Sequence, residues 1–357
     1  MFSLLISQVE ANCELASGHQ AGSFSLCGLL MRLRLLYKWQ HGLSPWQEPE
    51  PEGILDWIAD LENTWDAREG EPWQELRLNG LSLDPFDAAK VNAFLQPGGL
   101  AYGAGLCRGL APTFFLGELA EVRQEGDLII LVLGRELARD LDGTPAMRQG
   151  QVIYARRQAL AYYLWDRLAD PSQQSNRFLK AGWSSPEVPL AALLRDPQNH
   201  QDAWDNLIAG EMEAVIRHEI GEARETSLDQ ALPAILELFP QTALEQWIRA
   251  LKDALADTND QGRLHYLIAG RRLPSLALML AFQPGFYLLL LPELEPAFFG
   301  LAASGDWGGM EEARQTAMTR LRQVAAEVTH LLEVHSQDNP EDLRQVLTSR
   351  FLTPLGL

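Results

Sequence analysis

The residues best suited to chemistry lie in one short segment, residues 217–222, which reads Arg-His-Glu-Ile-Gly-Glu. His218 and Glu222 are four residues apart, so on a helix they share one face and can bind one ion together. The His-Glu-x-x-His zinc helix uses this spacing, but here Glu222 replaces its second histidine, so the metalloprotease pattern is not met. We predict a divalent transition metal such as zinc, held by His218, Glu222 and a third ligand, with His265 preferred over Asp257.

Glu219 is the predicted catalytic residue. At about 100° per residue, the helix predicted for residues 205–224 has an apolar stripe that comprises Ile208, Met212, Val215, Ile216 and Ala223. Glu219 falls inside this stripe, where a carboxylate is costly unless it is paired, protonated or metal-bound. We expect it to be buried with a specific partner and to act as general base on a metal-bound water. Alternatively, Glu219 pairs with a buried Arg, and His218 pairs with Glu222 or Glu211 without any ion.

Two other acidic patterns are weaker candidates. Residues 257–262 begin like a calcium loop, but its twelfth position is Ile268, where a bidentate Glu is required. A helix cap and turn is predicted there instead. Glu327 and His330 match the Glu-x-x-His pattern of di-iron bundles, but His330 lies opposite the apolar face of its helix, which predicts a solvated side chain.

The glycine-rich segment 103–109 is not predicted to bind a dinucleotide. The fingerprint requires Gly at the position of Arg108, with a strand before it and a helix directly after, so a plain turn is expected. Cys13, Cys27 and Cys107 have neither disulfide nor zinc spacing and indicate free thiols in a reducing compartment.

The elements that position these residues are mostly helices. Helical spacing predicts helices over residues 155–169, 203–225, 228–239, 242–256, 263–270, 275–291 and 310–335. The helix predicted for residues 275–291 consists of two segments joined at residues 283–285. Strand-type runs with Gly punctuation occur at 113–116 and 127–133. The predicted fold is mainly α (α+β), a bundle-like helical body with one small β hairpin or sheet around residues 113–133.

The domain organisation is suggested by composition. Five of the ten tryptophans, Trp39, Trp46, Trp57, Trp65 and Trp73, occur within the first 73 residues and indicate a core wall or a ring-stacking pocket. We predict a Trp-rich N-terminal part with the β segment, residues 1–185, and a helical C-terminal part, residues 186–357. A single continuous domain is the alternative.

The charge of the chain restricts its partners. The net charge of −19 repels phosphate backbones and anionic lipid, so no nucleic acid is expected as a partner.

The most hydrophobic stretch, residues 273–294, is broken by prolines and a glycine, so no membrane span is expected. The N-terminus lacks the basic region of a signal peptide, and we expect a cytoplasmic protein.

Several blocks resemble an uncharacterised bacterial family, a domain of unknown function whose members have about this length. These blocks cover residues 25–30, 37–42, 102–105, 108–116, 134–140, 217–222 and 257–272. The resemblance implies a bacterial origin and provides no activity, cofactor or site. Two functions remain open. The first is a metal-dependent, hydrolytic enzyme built on His218, Glu219 and Glu222. The second is a non-catalytic helical protein that binds a protein or small-molecule partner through an acidic or Trp-rich face.

Overall fold

A computed structural model describes residues 2–107, 111–183, 190–283, 285–335 and 339–356. Three features considered above fall partly outside them: Arg108 and Gly109 of the glycine-rich segment, the predicted domain boundary between residues 185 and 186, and Pro284 of the predicted turn. The chain divides into two compact units, Met1–Ala169 and Asp170–Leu357. No helix within the described ranges combines the length and the apolar composition needed to cross a bilayer.

The first unit combines helices with strands. Its helices are α1 (Phe2–Ala21), α2 (Leu26–Gln40), α3 (Pro51–Ala67), α4 (Ala88–Leu95) and α5 (Arg157–Ala169). Its strands are β1 (Leu76–Leu78), β2 (Leu81–Leu83), β3 (Leu100–Leu106), β4 (Pro112–Glu125), β5 (Leu128–Arg139), β6 (Ala146–Gln149) and β7 (Val152–Arg156). The pair β1–β2 forms a small separate sheet.

The predicted hairpin is confirmed as β4–β5. Its turn contains Gly126, whose φ of 65° lies in the left-handed region that favours glycine. The hairpin is the centre of a larger sheet whose strand order among the described residues is β3-β4-β5-β7-β6. All neighbours are antiparallel except β5 and β7, which run parallel.

The expectation of a plain turn at the glycine-rich segment was wrong, because residues up to Leu106 belong to β3. Gly103 pairs with Phe115 of β4, and a Cβ atom at Gly103 would lie 2.0 Å from the Phe115 ring. The glycine thus makes room for an aromatic ring that packs across the strand pair. Its role is sheet packing rather than cradling a phosphate.

Helices cover the sheet of the first unit. Helix α1 packs on β4, where the Cys13 thiol donates to the carbonyl of Phe114 over 3.2 Å. Gln20, the penultimate residue of α1, donates to the buried carboxylate of Asp140 at 2.9 Å. A separate small core of Leu33, Leu36 and Leu141 is flanked by indoles, namely Trp39, Trp57 and Trp65.

The second unit is helical throughout its described residues. Its helices are α6 (Arg177–Gly182), α7 (Leu190–Arg195), α8 (Gln201–Arg224), α9 (Ala231–Leu238), α10 (Ala243–Thr258), α11 (Arg263–Ala269), α12 (Leu273–Phe282), α13 (Phe286–Leu289), α14 (Leu294–Ser304), α15 (Trp307–Val334) and α16 (Pro340–Leu347). The prediction of a mainly α-helical fold with some β structure is therefore confirmed.

Helix α10 forms the centre of the second unit's core. Its buried residues Trp247, Ile248, Leu251 and Leu255 recur at helical spacing and pack with residues of α9, α11, α12 and α15. On α15, His330 is exposed whereas Leu321, Ala325 and Val328 are buried, as the helical phase predicted. The C-terminal end of α10 differs from this apolar interior, because its residues Asp257 and Thr258 are polar and buried.

Candidate metal centre

Two glycines allow α8 to approach the end of α10 closely. A Cβ atom at Gly221 would lie 2.1 Å from the carbonyl oxygen of Ala256, and one at Gly262 would lie equally near to that oxygen. Only glycine fits a backbone contact of this kind. Because Gly221 lies between His218 and Glu222 on the same helix, its contact brings both side chains to the end of α10.

The turn between α10 and α11 is fixed by one of its own side chains and by one from α15. Asn259 donates through Nδ2 to the carbonyl of Gly221 at 2.8 Å and accepts from the backbone of Gln261 at 3.0 Å. Arg314 of α15 donates to the carbonyl of Thr258 and, at 2.9 Å, to the carboxylate of Asp260. The helix-end and turn role predicted for residues 257–262 is therefore confirmed.

Asp257 is the buried hub of the site, with no exposed surface. Its Oδ1 lies 2.8 Å from Nδ1 of His218, and its Oδ2 accepts from Arg263 and from the Tyr287 hydroxyl, each at 2.6 Å. Burial alone would raise the pKa of Asp257, but the positive charges of Arg263 and His218 outweigh it and hold the pKa well below its usual range. Asp257 is therefore ionised at neutral pH.

His218 carries the opposite charge. Burial lowers the pKa of its imidazole, but the charge of Asp257 and the hydrogen bond to it raise the pKa to about 9. Protonated His218 and ionised Asp257 thus form an ion pair at pH 7. Because Nδ1 is held by Asp257, Nε2 is the ring nitrogen available to another ligand.

Two further carboxylates lie beside this imidazole. His218, Glu222 and Asp253 of α10 each offer a ligand atom, and these atoms lie within 4.8 Å of one another. Burial raises the pKa of Asp253, although the charges of His218 and Lys252 act against it. Lys252 lies 2.6 Å from Glu222. The group therefore forms part of a wider charge network between α8 and α10.

The arrangement has the chemistry of a metal centre. Metal-bound imidazoles commonly donate their other N–H to a carboxylate, which fixes the ring orientation and makes the ligand nitrogen more basic. Asp257 has this relationship to His218. Tetrahedral zinc with bonds of 2.0–2.2 Å places its donors about 3.4 Å apart, so a small inward movement of the three side chains would suffice. A zinc ion held by three such side chains would keep one position for water, the usual composition of catalytic zinc sites.

The structure brings together two of the three predicted metal ligands, His218 and Glu222. Asp253, which the sequence analysis did not select, occupies the third position of the group. His265 lies in the first turn of α11, where its Nδ1 is buried without a hydrogen-bond partner among the described residues, and it is not part of the group. Glu219 is buried, as its helical phase predicted, but also lies outside this group of three.

The fold and the site together define a mainly α-helical protein of two units. The second unit contains a pair of a half-buried histidine and a buried aspartate, beside two further carboxylates. Comparison with family models then assigns the chain. It belongs to a family of unknown function, DUF6866, whose N-terminal domain matches residues 4–156 and whose C-terminal domain matches residues 161–350. No curated protein and no solved structure matches the chain.

Proposed function

We propose that the second unit binds a divalent transition metal such as zinc through His218, Glu222 and Asp253, and that water on this metal gives the protein a hydrolytic activity. The observation that carries the proposal is the hydrogen bond between His218 Nδ1 and the buried Asp257, which leaves Nε2 as the second ring nitrogen of a histidine that lies beside two carboxylates. Imidazole and carboxylate ligands suit zinc and its neighbours in the first transition series.

Metal binding would replace a proton. His218 is protonated at pH 7 without an ion, because Asp257 raises its pKa to about 9. A metal at Nε2 must displace that proton, and Asp257 then keeps Nδ1 as the donor. Zinc binding should therefore release a proton near pH 7, a signature that non-specific adsorption on surface carboxylates would lack.

The hydrolytic step follows from the open coordination position. Zinc lowers the pKa of a bound water to about 7, which provides hydroxide at neutral pH. The role of Glu219 as general base on that water stays a prediction. It is tested with Glu219→Gln, which should keep the metal but lose hydrolysis of a simple probe such as p-nitrophenyl acetate.

Metal analysis of protein purified without a histidine tag is the deciding experiment. We expect close to one zinc per chain, lost in Glu222→Gln and Asp253→Asn, both of which keep the side-chain shape. His330→Ala is the matched control, since His330 is exposed and outside the group. Equal metal content in all four proteins would refute the site.

The competing function is partner binding without catalysis. It predicts that the protein takes up no zinc and that the His218–Asp257 and Glu222–Lys252 pairs are structural ion pairs. Calorimetric titration with zinc separates the two functions, because only a metal centre gives saturable binding that Glu222→Gln abolishes.

A further inference from the structure

A cavity in the first unit lies between α1, α2, α3 and the C-terminal end of β5. Its volume is about 660 Å³, and its lining includes Cys13, Trp39, Trp57, Leu61, Glu136 and Arg139. Pockets that hold small organic ligands occupy about 300–1,000 Å³ and combine apolar walls with a few polar groups. The size and the mixture of residues therefore fit a small-molecule site.

The apolar wall is formed by aromatic residues. Trp39 and Trp57 line the cavity and are both half-buried. Trp57 is held by a hydrogen bond from Nε1 to Gln40 at 3.1 Å and by edge contact with the Tyr37 ring. The two indoles provide a large area for a planar or apolar group, and the fixed position of Trp57 lowers the entropic cost of binding.

The cavity lining also includes the buried guanidinium of Arg139, which has an unused Nε donor. The Arg139 side chain is 3% exposed, its Nε has no hydrogen-bond partner, and its Nη1 makes only a long contact of 3.4 Å to Glu136. Glu136 is already engaged by Arg156, whose Nε donates to it at 2.5 Å. A buried, unsatisfied donor is energetically costly, so a ligand that accepts from Arg139 recovers that loss. Guanidinium groups pair bidentately with carboxylates.

The exposed side of the cavity has the opposite charge. Glu10 and Asp60 line it, are exposed, and make no side-chain ion pair within the described part of the chain. Although Glu10 is exposed, partial shielding of its carboxyl from solvent, reinforced by repulsion from Glu14, raises its pKa. These carboxylates favour a cationic group and oppose polyanions such as nucleotides. The cavity thus presents a cation-attracting side and an anion-attracting end.

We propose that this cavity binds a small zwitterion with an aromatic side group, the chemistry of an aromatic amino acid or short peptide. Its carboxylate pairs with Arg139, its ring packs against Trp39 and Trp57, and its ammonium group lies toward Glu10 and Asp60. This site belongs to the first unit and is independent of the metal proposed for the second.

The test measures binding of the dipeptide glycyl-phenylalanine to the full chain. Binding is measured by calorimetry and by the change in tryptophan fluorescence, to which the phenylalanine of the dipeptide does not contribute. We expect one saturable site per chain, half-filled below about 1 mM. The C-terminal amide of the probe lacks the carboxylate and its N-acetyl form lacks the ammonium group. Each should bind at least about tenfold more weakly, since charge-assisted hydrogen bonds contribute more than 1.4 kcal/mol.

Variants locate the site. Trp57→Leu and Arg139→Met should each weaken binding of the dipeptide about tenfold or more, whereas Trp46→Phe, at a half-buried indole outside the cavity, should leave it unchanged. If Arg139→Met fails to fold, Trp57→Leu and the amide probe decide alone. Three results would each overturn the proposal. They are no binding of the dipeptide at ten times the expected half-saturation concentration, equal affinity for the dipeptide and its amide, and unchanged dipeptide affinity in Trp57→Leu.

Discussion

Gly221 of α8 meets the backbone of Ala256 so closely that a Cβ atom would lie 2.1 Å from the carbonyl oxygen. This contact positions His218 and Glu222 against Asp253 and Asp257, because all four side chains lie within one turn of it. The site is therefore sensitive to the spacing of two helices as well as to its charged groups.

Gly221→Ala should destabilise the protein by about 1–3 kcal/mol, the usual cost of forcing a methyl group into a packed core. The measurement is the free energy of unfolding in urea. Gly210→Ala is the control on the same helix. The nearest atom to a Cβ at this position, Nη1 of Arg272, is 3.9 Å away, so the methyl group fits. The better helix propensity of alanine should then stabilise the protein by about 0.5–1 kcal/mol. Equal effects of the two substitutions would contradict the close contact.

Asp257→Asn should destabilise the second unit by about 3–5 kcal/mol, because it leaves the buried charges of Arg263 and His218 uncompensated. The pKa of His218 should fall below its ordinary value, since burial and the charge of Arg263 then outweigh the smaller opposing effect of Asp253. Histidine NMR titration measures the pKa and urea unfolding the stability. Asp229→Asn, at an exposed aspartate, should change neither.

The stability of the metal-free protein should fall as the pH rises from 6.5 to 9. The pKa of His218 is raised from 6.5 to about 9 in the folded protein, so its contribution is complete below pH 6.5 and is lost as the pH passes through 9. A shift of this size corresponds to about 3 kcal/mol. Unfolding curves recorded with a chelator should show this decline in the wild type, and His218→Asn should remove it.

Glu211 should contribute a second decline at lower pH. Burial raises the pKa of its carboxyl to about 7, against the opposing effects of a hydrogen bond from Ser275 and the charges of Arg263 and Arg272. Its neutral form is therefore favoured in the folded state, and stability is lost as the pH rises from 4.5 through 7. Glu211→Gln mimics the neutral form, so its unfolding free energy should be nearly constant over this range; a decline as large as in the wild type would refute the assignment.

The His218–Glu222 pair could be predicted because it depends on helical spacing alone. Asp253 could not be selected in this way, since it lies on another helix and meets the pair only through tertiary packing. A signal was nevertheless present: Asp253 and Asp257 are four residues apart on a helix whose other face is apolar. The sequence analysis selected His265 instead because it lies at the start of a helix after a polar turn. That position does not determine the direction in which the side chain points.

The hairpin of β4 and β5 was predictable from its apolar runs and Gly126, whereas β3 was not. The pattern of small residues around Gly103 is typical of a turn, and only its pairing with Phe115 explains it as a strand. Cross-strand packing of this kind joins residues that are distant in the chain. The strand propensities of the local sequence contain no information about such contacts.

Arg314 donates to the carbonyl of Thr258 and the carboxylate of Asp260, and also binds Glu311 on its own helix. Its side chain is almost completely buried, so these bonds open only when α15 separates from the turn after α10. Backbone amides of the two segments should consequently exchange with deuterium at a common rate, as one cooperative opening unit. The polar end of α10 should therefore open only as often as α15, the longest helix among the described residues, separates from it.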